Sequence, residues 1–529
     1  SIILASCLAL PLASCSDSDA APEQKDWSTT TYFNSSDAAA QDTYYKPAVG
    51  YVGDPMPFFD PVAGDFKVLY LQDFRPNPEG TYHPIWGVST KDAAHYTALG
   101  ELVSCGTLKS QDAAIGTGST IYDEASKLYY TFYTGNKYKP TGDESAQVVM
   151  VATSADFKTW TKDRTFLLKG QDFGYDKNDF RDPFVFKGDD GKFHMLISTK
   201  KGGKGSLAEF VSDDLKNWTD NGVFMTMMWD RFYECPDLFK MGDYWYLVYS
   251  EIHHAVRRVQ YFKGRTLDEL KACTANDVAR WPDAHEGFLD SRGLYAGKTA
   301  SDGTNRYLWG WCPTRSGKDN TAVGASPAEP EWAGNLVCYK LIQHEDGTLT
   351  LGQVDAVSEK YNQDVAVEVK ESQNMTEADG TYTLAGSVEQ PDAYMLMGRL
   401  GSHNKISFTV TTSNEWDKFG ISMVRGSDSK KYYTMVVNPE NENNRKVNFE
   451  EQGVEGKGFI AGIDGYVFAR PADNVYNITI YTDNSICVMY INDVCSYTNR
   501  IYGIQKNCWS INSYNGANVK ISNLKISQY

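Results

Sequence analysis

Three acidic residues sit where a charge is expensive to keep. In YVGDPMPFFDP (51–61), Asp54 lies between a glycine and a Pro-Met-Pro run. Proline fixes φ and removes a backbone donor, and glycine admits conformations other residues avoid, so this segment suits neither a helix nor a regular central strand. In FRDPFVF (180–186) and FYECPDLF (232–239), Asp182 and Glu234 stand inside aromatic runs with a proline close behind. A charge in a buried strand is costly unless it is paired or used. Each acid alone reads equally well as half of an ion pair with Arg181. Several together, with no metal-ligand pattern, are the equipment of glycoside hydrolysis. One carboxyl stays protonated to donate to the leaving oxygen, and another is ionised to attack the anomeric carbon or activate water. Phe232, Tyr233 and Cys235 would desolvate Glu234 and raise its pKa, which suits the acid role. The rigid turn at Asp54 would offer backbone N–H groups that keep it ionised. Asp182 becomes a third carboxylate facing the sugar, with Arg181 balancing charge.

Bringing together acids so far apart in the chain requires a repeat. Short aromatic strands entered by polar turns recur at DFKVLYLQDF (65–74), KLYYTFYTGN (127–136), KFHMLISTKK (192–201), DYWYLVYSEI (243–252) and NRYLWGWCPT (305–314). These are five units roughly 50–65 residues apart. After three of them comes a second element, STKDAAHYT (89–97), SADFKTWT (154–161) and SDDLKNWT (212–219), whose acidic turn and late aromatic suit an edge strand reached by a turn. Such a unit holds four short strands, one blade of a β-propeller, and closing blades round an axis protects strand edges by radial repetition. The expectation is an all-β chain, with a five-bladed propeller over 47–350 and a β-sandwich over 360–529. Two large sandwiches in succession are the rival. On this frame Asp54 lies twelve residues before Phe66, Asp182 eleven before Phe193 and Glu234 ten before Tyr244. The first strand of a blade is innermost, so nearly equal offsets predict three acids converging near the axis.

At these residues the sequence resembles glycoside hydrolase family 32, the invertase, inulinase and levanase family. RDP at 181–183 and YECPDLF at 233–239 are similar to its stabiliser and acid/base motifs. GTGSTIYD (116–123), YTGN (133–136), QVVMVATSADFKTWTK (147–162) and LDSRGLYAGKTASDGTNRYLWGWC (289–312) follow in the family's order. NITIYTDNSICVMYINDVCSYTNRIY (477–502) looks like the family's β-sandwich, with Ile486, Val488 and Tyr490 alternating as on a half-buried strand. The resemblance implies a retaining double displacement on β-fructofuranosides such as sucrose, inulin or levan, with no cofactor. Asp54 would be the nucleophile, Glu234 the acid/base and Asp182 the transition-state stabiliser. Arg181, Ser119, Asp290 and Tyr295 are candidates for binding substrate; Trp86, Trp229 and Trp309 are candidates for stacking on sugar, against a packing role for each. The family's nucleophile motif usually reads Trp-Met-Asn-Asp-Pro-Asn-Gly, whereas Gly53-Asp54-Pro55-Met56-Pro57 keeps only the Asp-Pro. Sugar choice is therefore where this chain is expected to differ. An arabinofuranosidase-like hydrolase of the related propeller clan is the runner-up, and a non-catalytic surface glycan-binding protein is the rival of another class.

A net charge of −17, from 51 Lys+Arg against 68 Asp+Glu, disfavours nucleic acid as a partner and fits a neutral, hydroxyl-rich ligand. The first fifteen residues, SIILASCLALPLASC, are apolar, end in small residues before a cysteine, and are too short to span a bilayer as a helix. They resemble the lipobox of bacterial lipoproteins, with Cys15 the lipidated residue and an ordinary secretory signal the alternative. The expectation is a signal over 1–15, a tether over 16–46, and a monomer at the outer cell surface that touches the membrane only through its lipid. A surface tether favours a polymer too large to import, hence fructan over sucrose. The eight later cysteines contain no C-x-x-C pair, which argues against zinc. Cys487, Cys495 and Cys508 are close enough in sequence to form a disulfide. His253-His254 on a strand would point to opposite faces, which argues against a metal there.

Overall fold

The computed structural model describes residues 43–74, 82–227, 232–251, 258–273, 287–314, 332–425, 432–439, 446–452, 466–467 and 470–529. Cys15, Trp229 and His253-His254 lie outside the described residues. Residues 51–352 form a ring of five antiparallel blades. Blade one is β1 (Tyr51–Asp60), β2 (Asp65–Asp73), β3 (Ile85–Thr90) and β4 (Thr97–Val103); blade two is β5 (Ala114–Asp123), β6 (Leu128–Asn136), β7 (Gln147–Ser154) and β8 (Thr161–Leu168). Blade three is β9 (Phe180–Lys187), β10 (Phe193–Lys201), β11 (Lys204–Ser212) and β12 (Thr219–Thr226). Blade four has β13 (Glu234–Met241), β14 (Tyr244–Glu251) and β15 (Arg258–Gly264) among the described residues, and blade five has β16 (Tyr295–Ser301), β17 (Arg306–Pro313), β18 (Gly334–Gln343) and β19 (Leu349–Gly352). The five-bladed propeller expected from the repeat is the fold observed.

The aromatic runs that revealed the repeat are the second strands. Each blade is packed between two neighbours, so β2 is buried from Phe66 to Asp73 and alternates little; both faces are interior. The second elements at 89–97, 154–161 and 212–219 are not themselves edge strands. They are the turns between third and fourth strands, built by a Ser or Thr hydroxyl and an aspartate two residues on, as in Ala93 N→Thr90 Oγ1 (2.9 Å) and Leu215 N→Ser212 Oγ (2.9 Å). Their fourth residues, Ala93, Phe157 and Leu215, are left-handed, with φ of 59°, 59° and 62°. Short polar side chains that bond nearby backbone make such turns.

The first strands pack against one another round the axis, and every one of them breaks register at the same level. The breaks fall between Gly53 and Met56, Gly116 and Gly118, Arg181 and Phe184, Glu234 and Asp237, and Tyr295 and Lys298. Extra residues on one strand of a pair make a β-bulge, which bends the strand and re-aims its side chains. The bulges place Asp54, Thr117, Asp182, Cys235 and Ala296 at equivalent positions. Four of these are left-handed: Asp54 (φ 26°), Asp182 (59°), Cys235 (52°) and Ala296 (53°). Non-glycine residues seldom adopt this conformation, and strain of this kind gathers at functional sites.

Residues 363–528 form a sandwich of two antiparallel sheets. Strand His403–Thr412 alternates strictly between buried and half-buried residues, as a strand with one face on a core must. Strand Ile486–Ile491 is buried throughout, contrary to the half-buried expectation. Cys487, Met489 and Ile491 point into the sandwich core, while Ile486, Val488 and Tyr490 pack into the core of the propeller. All eight later cysteines are free thiols, Cys487, Cys495 and Cys508 included.

Candidate active site

The bulges deliver Asp54, Asp182 and Glu234 to one cavity of about 350 Å³, also lined by Thr117, Arg181, Cys235, Tyr295 and Trp332. That volume suits one or two sugar rings, at the small end of ligand pockets. The three acids are not equivalent. Asp54 and Asp182 occupy the same bulge position, and its counterpart in blade four is Cys235. Glu234 stands one residue earlier, level with Gly53, Arg181 and Tyr295. The counted offsets hid this one-residue difference because the bulged segments were invisible in the sequence.

Asp54 accepts from the Trp311 indole Nε1 (3.0 Å), a side-chain donor where the turn was expected to offer backbone N–H groups. Asp182 is the acid with a backbone donor, Cys235 N→Oδ2 (2.9 Å), and its own N–H donates to Thr134 Oγ1 (2.9 Å). Glu234 lies between two donors: Arg181 Nη2 bonds Oε1 at 2.9 Å, and the Tyr295 hydroxyl bonds Oε2. Arg181 is itself fixed by Asp179 (Nη1→Oδ1, 2.6 Å) and lies over the Phe232 ring at 3.9 Å. The Arg181 ion pair proposed as a bland reading of these acids therefore exists, within the cavity that gathers them.

Burial, and then the charge of Asp182, push the Asp54 carboxyl up to about 7; the Trp311 bond opposes this, Glu234 adds to it and Lys298 opposes it. Asp182 is pushed up to about 6 by burial, with Arg181 opposing, Glu234 adding, and the Cys235 N–H and Lys298 opposing. Two like charges in one buried site disfavour each other's ionisation. Below the acids, the buried Lys298 crosses from blade five to donate to Gly118 O in blade two (2.7 Å). Gly118 N donates to Met56 Sδ (3.2 Å). Met56, unusual for the motif, is thus buried between blades one and two and is not among the residues that line the cavity.

Several predicted binding residues serve elsewhere. Ser119 is committed to blade packing: its hydroxyl donates to Pro183 O and accepts from Val185 N, each at 2.9 Å. The cavity residue from that motif is Thr117, whose buried hydroxyl has no protein partner; its position between two glycines was the available signal. Asp290 is fully buried at the boundary with the sandwich, accepting from Thr498 N, Thr498 Oγ1 and Ser496 Oγ, each at 2.8 Å. Trp86 packs edge-on against Phe74 and is no part of the cavity lining. Trp309 is wholly buried, its Nε1 donating to Tyr96 OH (3.1 Å). Lys298, Trp311 and Trp332 were missed, Trp332 because it is carried by the connection between β17 and β18, far from any motif.

Fold and cavity together define a propeller protein with a carboxylate cluster of the glycosidase type at its axis. The chain belongs to glycoside hydrolase family 32: the "Glycosyl hydrolases family 32 N-terminal domain" matches residues 44–354, and "GH32, BT1760-like, C-terminal domain" matches residues 347–526. Its sequence is 25% identical over 320 residues to a "Beta-fructofuranosidase, insoluble isoenzyme" of Arabidopsis thaliana, covering 55% of this chain and 51% of that protein. The chain thus spans about half the length of the curated relatives it matches first. Exo-inulinase from Aspergillus awamori shares the fold at a TM-score of 0.68 and 15% identity, covering 94% of this chain and 99% of that one. A fructan 1-exohydrolase IIa variant from Cichorium intybus, solved in complex with 1-kestose, does so at 0.65 and 16%, covering 92% and 97%.

Proposed function

We propose that the protein is a retaining glycoside hydrolase that cleaves β-fructofuranosidic linkages in a fructan such as levan or inulin. The observation that carries this is the convergence of Asp54, Asp182 and Glu234, from three different blades, in one sugar-sized cavity. In the first step an Asp54 oxygen attacks the anomeric carbon as the bond to the leaving oxygen breaks, and the Glu234 proton goes to that oxygen. Asp182, deeper in the channel with Asp54, faces the positive charge that develops on the sugar ring. In the second step Glu234 takes a proton from water, whose oxygen displaces Asp54 and releases fructose or a fructo-oligosaccharide. Arg181 and Tyr295 grip the two Glu234 oxygens and aim it. Relatives described as beta-fructofuranosidase and exo-inulinase support a fructoside. The leader and acidic tether support lipid anchorage through Cys15 at the cell surface, where a polymer is met.

Incubation with levan, inulin, sucrose and arabinan, followed by separation of the products, tests the reading. Fructose or fructo-oligosaccharides from levan or inulin are expected; release from arabinan alone would overturn it. Glu234→Gln should abolish release while leaving fructan binding measurable. Undiminished turnover would sink the acid/base assignment.

A further inference from the structure

At the level where blades three, four and five present Arg181, Glu234 and Tyr295, blade one presents Gly53 and no side chain. The space is already filled. A Cβ on Gly53 would lie 2.2 Å from Cη2 of Trp332, and 2.7 and 2.8 Å from Cζ3 and Cζ2. Gly53 has no left-handed φ, so the ring, and not backbone conformation, demands a glycine here. Nor can the ring yield easily. His83 stacks on it at 4.1 Å between centroids and 23° between planes, and Trp311, which bonds Asp54, lies 6.1 Å away at 58°. Tyr82, 41% exposed, continues the aromatic series against His83 at 4.7 Å. The wall therefore runs from beside the Asp54 backbone to the mouth of the cavity.

We propose that the Trp332–His83 stack, admitted by Gly53, is the contact surface for the leaving sugar and so a determinant of specificity. This rests on the hydrolytic reading. Glu234 must stand level with the scissile oxygen to protonate it, whereas Asp54, one position deeper, meets the anomeric carbon. Trp332 reaches the axis beside Gly53, on the Glu234 level, so it faces what is attached beyond that oxygen. Aromatic groups offer area and an apolar surface at little cost in conformational entropy, which suits the C–H face of a second sugar ring. A side chain in place of Gly53 would exclude the indole and leave a polar wall.

The test compares 1-kestose, whose leaving group is the sugar sucrose, with methyl β-D-fructofuranoside, whose leaving group is methanol. Trp332→Ala should lose about tenfold or more in kcat/KM on 1-kestose, through KM, and only about twofold on the methyl glycoside. Trp332→Phe, which keeps a ring, should fall between, and it carries the comparison if the alanine variant does not fold. Gly53→Ala should impair both substrates in the wild-type background and add nothing further in Trp332→Ala. Equal losses on the two substrates, or a Gly53→Ala effect independent of Trp332, would overturn the proposal alone. If the wild-type protein turns over levan or inulin but neither short fructoside, the proposal falls; if it turns over no fructoside at all, the hydrolytic reading itself fails.

Discussion

On the proposed mechanism Asp54 must be ionised to attack, yet burial and its neighbours push its carboxyl up to about 7. A carboxylate with a raised pKa is a better nucleophile when ionised, and fewer molecules carry it in acid. The stability consequence follows by linkage. The folded state holds a proton on Asp54 at pH values where the unfolded chain has lost it, so this residue costs stability increasingly as pH rises from about 4 to about 7, and fully above that. Asp54→Asn, which keeps an acceptor for Trp311, should stabilise the fold at pH 8 by on the order of 2 kcal/mol and so raise the melting temperature, with the gain vanishing near pH 4. Thermal melts across that range would check it; a constant gain would contradict it. Lys298 lowers the pKa of both aspartates. Lys298→Met should move the acid limb of kcat/KM to higher pH, an effect that mere loss of packing would not produce. Asp54 and Asp182 were legible because proline and glycine flag a forced backbone. Thr117, Lys298 and Trp332 were not, since each is an ordinary residue whose importance comes from what the ring of blades sets opposite it.

The bulge on each first strand is the element that makes the site. Side chains on a strand alternate in direction, so without extra residues at this level one register would serve both core and channel. The two-residue bulges at Asp54-Pro55, Asp182-Pro183 and Cys235-Pro236 each spend their second residue on a proline, which needs no ladder donor there. That is why Asp-Pro and Cys-Pro were visible in the sequence while the one-residue Glu234 difference was not. In blade two the bulge depends on close backbone contact: a Cβ at Gly118 would lie 1.8 Å from Phe132 O. Gly118→Ala should therefore destabilise the protein by about 2–4 kcal/mol in urea unfolding, and lower turnover in the molecules that still fold, because the Lys298 and Met56 contacts meet at that peptide. A neutral result would mean the channel floor is softer than its contacts imply.

Across the whole molecule, propeller and sandwich share buried structure rather than a surface. Arg500 of the sandwich donates to Cys312 O (2.9 Å), Pro313 O (3.1 Å) and Asn335 Oδ1 (2.6 Å) of blade five, and Asp290 of the propeller gathers the Ser496 and Thr498 donors in return. Removing the Asp290 carboxylate strands those donors. Asp290→Ala should cost about 3–5 kcal/mol while leaving KM unchanged in the folded fraction; a raised KM with stability intact would restore Asp290 to the substrate site. The division into propeller and sandwich was legible from the repeat and from the change of pattern after it. Their mutual burial was not, because a strand with one face on each core carries no alternation to read.

Among the described residues, the sheet pairing between blades one and five is one ladder pair, Val52 with Gly334. Next to it, Thr43 N and Tyr44 N donate to Asp483 Oδ2 of the sandwich at 3.0 and 2.8 Å, across 440 and 439 residues of chain. The segment that leads into the ring is thus held by a residue made only after the whole propeller. Contacts of such separation are formed late and slow a chain's folding. A nascent chain that has completed all five blades can already join Leu336 N to Tyr45 O, but it lacks the Asp483 clamp, so its entry segment is fully held only once the sandwich has emerged.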